Sequence, residues 1–338
     1  MTPTSTWLRR VVTTLAAFLS LCGAAAAQTP QNVAWQAGSA GKAIAFSPDG
    51  QFLLTGRSLR GAADGAVVRQ FPLSYSGARV NAVSFSPDSA YAALGSQSNN
   101  RNLDLFRVAD GTLVAGRISA HNNGTTAVAF SPDGRLLASG GRDGTAKLWH
   151  VPDMTLIRTL NGGPGYRARV FALAFTADSR NLIVGGQGGV LFFRVSDGVL
   201  IGRPSAADTF SLAVSPDGQL LAAGSMAVDQ YGQCTDCKIR LWRLSDGVLL
   251  RTIPGNEQGV LAVVFSPDRQ EIAAGSGDGA SSGVVRFLRV ADGVLLAAFP
   301  QDPKNLLSYV TAVAYAPRAR LFAYARADLL VVAASDPS

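Results

Sequence analysis

The chain of 338 residues has few of the side chains that carry chemistry. It contains two His, three Cys, four Lys and two Glu, and charged residues make up 16% of it. Scarce His and Glu leave few candidates for general acid–base catalysis, which prefers such groups gathered in one pocket. Scarce Lys, with no concentrated basic segment, argues against nucleic-acid binding. We therefore expect no catalytic residues and no nucleic-acid partner.

Long apolar runs are also missing, except for one near the N-terminus. Arg9-Arg10 precedes an apolar stretch at 11–21, and Ala25-Ala26-Ala27 provides a cleavage site of the A-x-A type. This order of charged, apolar and small residues is typical of a secretory signal peptide. We therefore expect residues 1–27 to be a signal peptide. The mature chain, 28–338, is then exported to the periplasm or the extracellular space.

The apolar stretch is shorter than the roughly 20 residues that a membrane-spanning helix needs. We expect no stable membrane span in the mature chain, with an uncleaved anchor as the alternative. Lipid attachment at Cys22 is a further alternative, but the bulky Leu21 before it disfavours such a site.

Two cysteines remain after the signal, Cys234 and Cys237. In an oxidising compartment, a closely spaced pair of this kind is most simply a small disulfide. Free thiols are one alternative, and a metal or redox site is another. A zinc site needs two more ligands, and His121 and His150 are the chain's only histidines. We expect no metal and no cofactor.

What the chain has in abundance is a turn that recurs seven times. Its clearest copy is Phe130-Ser131-Pro132-Asp133-Gly134, and the leading residues of successive copies are separated by 39, 45, 45, 39, 51 and 50 positions. Periods of about 40–50 residues indicate a repeat architecture. Ser, Pro, Asp and Gly in this order favour a type I turn, and the apolar runs on either side predict a β-hairpin.

A second turn recurs in step with the first, as in Phe106-Arg107-Val108-Ala109-Asp110-Gly111. Each unit therefore has four short strands, a to d, which is the content of one propeller blade. The last unit has only three strands, and the segment 32–36 near the N-terminus has no partner upstream. We predict an all-β, seven-bladed propeller of four-stranded antiparallel blades, with the N-terminal strand joining the last blade to close the ring.

The third unit carries a further pattern, with His121, Ser139, Asp143 and Trp149 in order. This unit resembles a WD40 repeat, and the region from about 32 to 338 resembles an exported, bacterial-type WD40-like propeller. The resemblance implies that these four residues form the family's hydrogen-bonded tetrad. The other units lack the His, and His150 replaces the family's Asp after Trp149. The other blades must therefore rely on apolar packing. A catalytic role for His121 is the weaker interpretation.

The two ends of the blades differ in the sequence. The a–b and c–d turns share one face, the turn face, and 12 of the 21 Asp residues lie in them. The b–c and d–a connections share the other, the loop face. Their lengths vary, and we identify these loops at 95–102, 121–125, 162–169, 226–238, 276–283 and 302–308. Variable loops on a rigid scaffold are common binding sites, although insertions that are merely tolerated look the same in sequence.

Side chains of the types enriched at interface hot spots lie in these loops. The candidates for partner binding are Tyr166, Arg167, Arg169, Tyr231 and Lys238. We predict a monomeric, non-catalytic scaffold that binds a protein or peptide. The alternative is a propeller-type enzyme, lactonase-like or dependent on a metal or quinone, with acids at the channel mouth. Its loose candidates are Asp229, Asp236, Asp278 and Asp302.

Overall fold

The computed structural model describes most of the region that carries the repeats. The described residues are 33–38, 42–73, 79–100, 102–161, 169–227, 229–231, 234–254, 259–277, 283–299, 309–317, 321–325 and 329–334. They form 28 β-strands arranged in seven four-stranded antiparallel sheets. The predicted all-β propeller with seven blades is confirmed.

Each of the first three blades follows the order of the chain. Blade 1 contains β2 (Ile44–Phe46), β3 (Phe52–Thr55), β4 (Ser58–Gly61) and β5 (Val67–Gln70). Blade 2 contains β6 (Arg79–Phe85), β7 (Tyr91–Gln97), β8 (Leu103–Arg107) and β9 (Leu113–Ile118). Blade 3 contains β10 (Thr125–Phe130), β11 (Leu136–Gly141), β12 (Ala146–His150) and β13 (Leu156–Leu160).

The next three blades repeat this order. Blade 4 contains β14 (Val170–Phe175), β15 (Asn181–Gly186), β16 (Gly189–Arg194) and β17 (Leu200–Ser205). Blade 5 contains β18 (Thr209–Val214), β19 (Leu220–Ser225), β20 (Lys238–Arg243) and β21 (Leu249–Pro254). Blade 6 contains β22 (Val260–Phe265), β23 (Glu271–Ser276), β24 (Val285–Arg289) and β25 (Leu295–Phe299).

Blade 7 combines the two ends of the chain. It contains β26 (Ala312–Tyr315), β27 (Leu321–Ala325) and β28 (Leu329–Ala334), and its fourth strand is β1 (Val33–Gly38). The strand β1 pairs antiparallel with β28, with Gln36 opposite Val331. The predicted closure of the ring by the N-terminal strand is therefore confirmed. Closure covers the edge of β28, which would otherwise offer unpaired backbone groups.

The first strands of the blades form the hub, because each contacts the first strand of the next blade around the whole ring. The buried apolar residues that the structure describes fall into seven clusters, one at each interface between blades. At the interface of blades 7 and 1, for example, Phe46 and Leu53 pack with Ala323 and Leu330. Burial of one such large side chain contributes about 1.5–3 kcal/mol, so the core lies between blades rather than within them.

Polar contacts on the turn face join the blades in pairs. The backbone N–H of Asp49 in blade 1 donates to Ser89 Oγ of blade 2 at 3.1 Å. That of Asp133 in blade 3 donates to Ser179 Oγ of blade 4 at 3.2 Å. Between blades 5 and 6, the Arg269 guanidinium binds the Asp217 carboxylate. Each contact thus joins an odd-numbered blade to the blade that follows it.

The backbone of the turns explains this alternation. Ser89, Ser179 and Arg269 have φ values of 60°, 59° and 65°, at the turn position where blades 1, 3 and 5 have glycine. Glycine adopts such values without steric cost, whereas other residues rarely do. At these three positions the residue adopts a backbone conformation that favours glycine, and its side chain bonds to the preceding blade.

The outer strands make the same pairs. Arg69, Arg158 and Arg251, each the third residue of its strand, donate to backbone carbonyls in the c–d turn of the next blade, at distances from 2.7 to 3.2 Å. Between blades 7 and 1 the third residue of β1 is Trp35, whose Nε1–H donates to the carbonyl of Ala62 at 2.9 Å. A Cβ atom on Gly65 would overlap the Trp35 indole, so the ring packs directly on that turn.

Among the described residues, no helix has the length and apolarity needed to cross a membrane.

Trp35→Ala should weaken the closure of the ring. It removes the hydrogen bond to Ala62 and the indole packing on Gly65, and we expect the free energy of unfolding to fall by about 2 kcal/mol. Trp35→Phe keeps a ring but not the N–H and should cost about half as much. Denaturant unfolding measures both variants. Gln36→Ala, at an exposed position of the same strand, is the control. Equal stability of W35A and Q36A would contradict this role.

Candidate functional site

The polar side chains of the turn face are bonded within their own turns. In six a–b turns a Ser or Thr hydroxyl donates to the carboxylate two residues later, as Ser131 does to Asp133 at 2.5 Å. The same carboxylate oxygen accepts a backbone N–H, that of Arg135 in this turn. The hydrogen bond from Ser86 is the main cause that lowers the pKa of Asp88, and the Ser215 and Ser266 hydroxyls lower those of Asp217 and Asp268 similarly.

The c–d turns are equally self-contained. In four of them an arginine pairs with the Asp three residues later, at N–O distances of 3.0 or 3.1 Å. These pairs are Arg107–Asp110, Arg194–Asp197, Arg243–Asp246 and Arg289–Asp292. Hydrogen bonds from Thr112, with Arg107, lower the pKa of Asp110 to about 2. In blade 1 the corresponding Arg60 donates to the backbone carbonyl of Gly65 instead of a carboxylate. A repeated anion site built from these arginines is therefore not available.

The loop face of blade 3 brings together the four residues that the WD40 resemblance singled out. His121 Nε2 lies 2.8 Å from Ser139 Oγ, and Trp149 Nε1–H donates to the same hydroxyl at 2.9 Å. His121 Nδ1 lies 3.1 Å from Asp143. Burial opposes ionisation of Asp143, but the His121 and Thr145 hydrogen bonds outweigh it, so the pKa of Asp143 is lowered. All ring nitrogens of the site are engaged in this network.

Asn102 holds the loop that carries His121, and the sequence patterns did not identify it. Its side chain is fully buried between blades 2 and 3. The Nδ2 group donates to the carbonyls of Ser98 and His121, at 3.0 and 2.6 Å. The Oδ1 atom accepts from the N–H groups of Ala120 and His121 and from the Thr125 hydroxyl. One amide therefore fixes both the backbone of His121 and the start of β10.

In the b–c loop of blade 5, a disulfide bond joins Cys234 and Cys237. Between them lies Asp236, six residues before Trp242, as Asp143 lies six residues before Trp149. Asp236 accepts a bidentate pair of bonds from Arg240 at 2.8 and 2.9 Å. At the position where blade 3 has the Asp–His contact, blade 5 thus has an Asp–Arg ion pair. Its Asp lies between the two bonded cysteines.

The hub has an uneven entrance on the loop face. Five first strands have a β-bulge near their start, so one residue in each has no partner in the neighbouring strand. These residues are Asn81, Thr126, Phe171, Phe210 and Leu261. Bulges re-aim side chains. In blades 2 and 3 the bulged residue is polar, and it donates to the first strand of the next blade.

In blades 4 to 6 the bulged residue is apolar. The rings of Phe171 and Phe210 stack across the interface of blades 4 and 5, with centroids 4.4 Å apart and planes at 10°. Both rings, and Leu261 of the next blade, are partly exposed. One half of the hub entrance therefore presents an apolar, aromatic surface, and the sequence patterns gave no indication of it.

The predicted partner-binding residues lie at separate places. Tyr166 and Arg167 fall outside the described residues. Arg169 is exposed just before β14, at the hub end of blade 4. Tyr231 is 78% exposed in the loop of blade 5. Lys238, at the start of β20, lies 3.6 Å from Asp236.

The acids proposed for an enzymatic centre do not converge in the described part of the chain. Asp236 is paired with Arg240 and Lys238. Asp229 accepts the backbone N–H of Tyr231 in its own loop. Asp278 and Asp302 lie outside the described residues. Among those that are described, no group of three or more His, Cys, Asp or Glu side chains is placed to hold a metal ion.

Comparison with protein families finds the WD domain, G-beta repeat, in three segments, 111–150, 200–243 and 247–280. The first runs from the c–d turn of blade 2 into the third strand of blade 3. Each matched repeat therefore joins the outer strand of one blade to the inner strands of the next. The same offset leaves the seventh blade to be completed by β1.

Curated relatives match parts of the chain. The small ribosomal subunit protein RACK1 of Schizosaccharomyces pombe is 32% identical over 136 residues, which are 37% of this chain and 39% of that protein. RACK1y of Oryza sativa subsp. japonica is 28% identical over 49% of this chain and 48% of its own length. Periodic tryptophan protein 2 of Arabidopsis thaliana is 30% identical over 45% of this chain and 16% of its own length. The chain thus spans less than half the length of these relatives.

Among solved structures, the β-propeller domain of Cps50 (Swd1) from Myceliophteria thermophila superposes with a TM-score of 0.74. The match covers 90% of this chain and 99% of that domain at 16% sequence identity. At this identity the likeness concerns the fold alone.

Asn102→Ala should be strongly destabilising. It leaves several buried backbone groups around His121 without partners, and we expect the free energy of unfolding to fall by about 3 kcal/mol. Asn99→Ala, at an exposed position of the same loop, should change it by less than about 0.5 kcal/mol. Denaturant unfolding of both variants measures the difference. A result in which N102A is as stable as N99A would show that Asn102 does not organise the loop.

Proposed function

Because the chain carries WD40 repeats folded into a seven-bladed β-propeller, we propose that it is a non-catalytic scaffold that binds a protein or peptide partner on its loop face. The blades hold the loops in fixed positions around the hub entrance, and no cofactor takes part. The binding energy comes from exposed loop and hub side chains that are already in place, which limits the entropy lost on binding.

The contrast between the two faces carries this proposal. On the turn face, each of six a–b turns and four c–d turns pairs its carboxylate with a neighbouring Ser, Thr or Arg. These groups have few bonds left to offer a partner. On the loop face, Tyr231 and Arg169 are exposed, and Phe171 and Phe210 are partly exposed. Tyr and Arg are enriched in the parts of interfaces that contribute most to affinity.

The relatives support a role in assemblies. Two of them are described as small ribosomal subunit proteins, which belong to a larger complex by that description. The present chain shares with them the repeats rather than a ligand. Fold alone does not establish function, so the partner of this protein must be found by experiment.

We also propose that the mature protein is a monomer, 28–338, that works in the periplasm or outside the cell after removal of residues 1–27. The N-terminal pattern of Arg9-Arg10, an apolar stretch and Ala25-Ala26-Ala27 supports export. The bond between Cys234 and Cys237 fits an oxidising compartment, where disulfides persist.

Affinity capture with loop-face variants tests the proposed function. The tagged mature protein should recover a defined set of proteins from an envelope and culture-supernatant extract. The double variant Arg169→Ala, Tyr231→Ala should reduce that recovery by about tenfold, since it removes two exposed hot-spot side chains. Quantitative mass spectrometry of the eluates measures the change.

The control removes side chains from the turn face. Arg135 and Arg180 are exposed there, each directly after an a–b turn. The double variant Arg135→Ala, Arg180→Ala should recover the same proteins as the wild type. Loss of partners in this control, with normal recovery by the loop-face variant, would place binding on the turn face and reject the proposal.

A further inference from the structure

Ion pairs with carboxylates are described for several arginines of the turn face, although Arg135 and Arg180 have none, and for none of the cations on the loop face of blades 1 to 4. On the turn face, four arginines lie 3.0 or 3.1 Å from a carboxylate of their own turn. On the loop face of blades 1 to 4, five cationic residues are described: Lys42, Arg57, Arg79, Arg142 and Arg169. None of these five forms an ion pair with another described residue.

Carboxylates are scarce in the same region. At the loop-face ends of blades 1 to 4, the described carboxylates are Asp104, which is buried in β8, and Asp143. The oxygens of Asp143 already accept bonds from His121, Thr145 and the N–H of Asn122. The next loop-face acids along the chain are Asp208, at the start of blade 5, and Asp229 and Asp236, in its b–c loop. Asp208 accepts the N–H of Gly188, and Asp236 pairs with Arg240. The five cations of blades 1 to 4 therefore outnumber the carboxylates described there, and we call these five residues the basic arc.

The register of the strands places part of this arc at the hub entrance. Lys42 lies two residues before β2, Arg79 begins β6 and Arg169 directly precedes β14. These three strands are first strands and line the hub. Arg169 is two residues from Phe171, whose ring stacks on Phe210. The entrance thus combines exposed positive charge with the aromatic surface of blades 4 and 5.

We propose that the loop face binds an acidic segment of a protein partner, with carboxylates over the basic arc and an apolar or aromatic side chain on Phe171 and Phe210. The inference rests on the proposed function and adds the chemistry of the partner. Charge complementarity selects the acidic sequence and speeds its association. The stacked rings of Phe171 and Phe210 select an apolar or aromatic side chain next to the carboxylates.

A direct binding measurement tests the partner's chemistry. The probe is a short fluorescein-labelled peptide of Asp and Glu residues around one Phe, and fluorescence anisotropy reports its binding to the purified mature protein. Two matched peptides replace the acids by Lys or the Phe by Ala. We expect the acidic peptide with Phe to bind at least about tenfold more tightly than either, with affinity falling as salt is raised.

Variants of the protein locate the site. Arg79→Ala, Arg169→Ala should weaken binding of the acidic peptide by about tenfold and reduce its salt dependence, and Phe210→Ala should remove the preference for Phe over Ala. Arg135→Ala, Arg180→Ala on the turn face is the matched control and should bind as the wild type does. Thermal unfolding of each variant separates lost binding from lost folding.

Three outcomes would overturn the inference. They are equal binding of the acidic and basic peptides, tighter binding of a single-stranded oligonucleotide of the same charge, and binding that the loop-face variants leave unchanged. If the affinity capture above still depends on Arg169 and Tyr231 in that case, the scaffold function stands and only the acidic partner is rejected. If the capture does not depend on these two residues either, the scaffold function and the acidic partner are both rejected.

Discussion

The apolar contact between neighbouring blades is the interaction on which the rest of this structure depends. A single four-stranded blade has two faces to cover, and each of the seven buried clusters draws its residues from two blades. Every blade therefore packs on both neighbours, and closing the ring lets the first and last blades do so as well. The strand β1 provides this closure, because it completes blade 7 and places Trp35 on the c–d turn of blade 1.

Polar contacts refine this apolar ring in a pattern of pairs. Blades 1 and 2, 3 and 4, and 5 and 6 share a contact between their a–b turns and another from an outer-strand arginine. The complete His121 network occurs in blade 3, and blade 5 uses Asp236 and Arg240 at the corresponding place. The residue at the position equivalent to Ser139 is commonly apolar in the other blades, as Val184 is in β15 and Ala223 in β19. Apolar packing therefore holds most of the ring, and the polar contacts add to it locally.

Much of this architecture could be predicted from the sequence, because the turns are determined locally. Ser131 donates to Asp133 two residues later, and the six turns with this bond, this one included, each predict a hairpin. The missing fourth strand at the C-terminus predicted the role of β1. Other features could not be predicted, since they depend on which residues meet across 19 to 39 positions of the sequence. Asn102 reaches His121, Arg69 reaches Val108, and bulges bring Phe171 against Phe210. The basic arc has the same origin, because its members gather only when the blades close into a ring.

The polar groups of the turn face are bonded within their own turns, and the loop face is open to a partner. Hydrogen–deuterium exchange of the protein with its captured partner tests this difference most directly. We expect binding to slow exchange at the loop-face ends of the first strands, in segments 42–46, 79–85 and 169–175. Exchange in the turn segments 47–51 and 131–135 should stay unchanged. Protection confined to the turn segments would contradict this expectation.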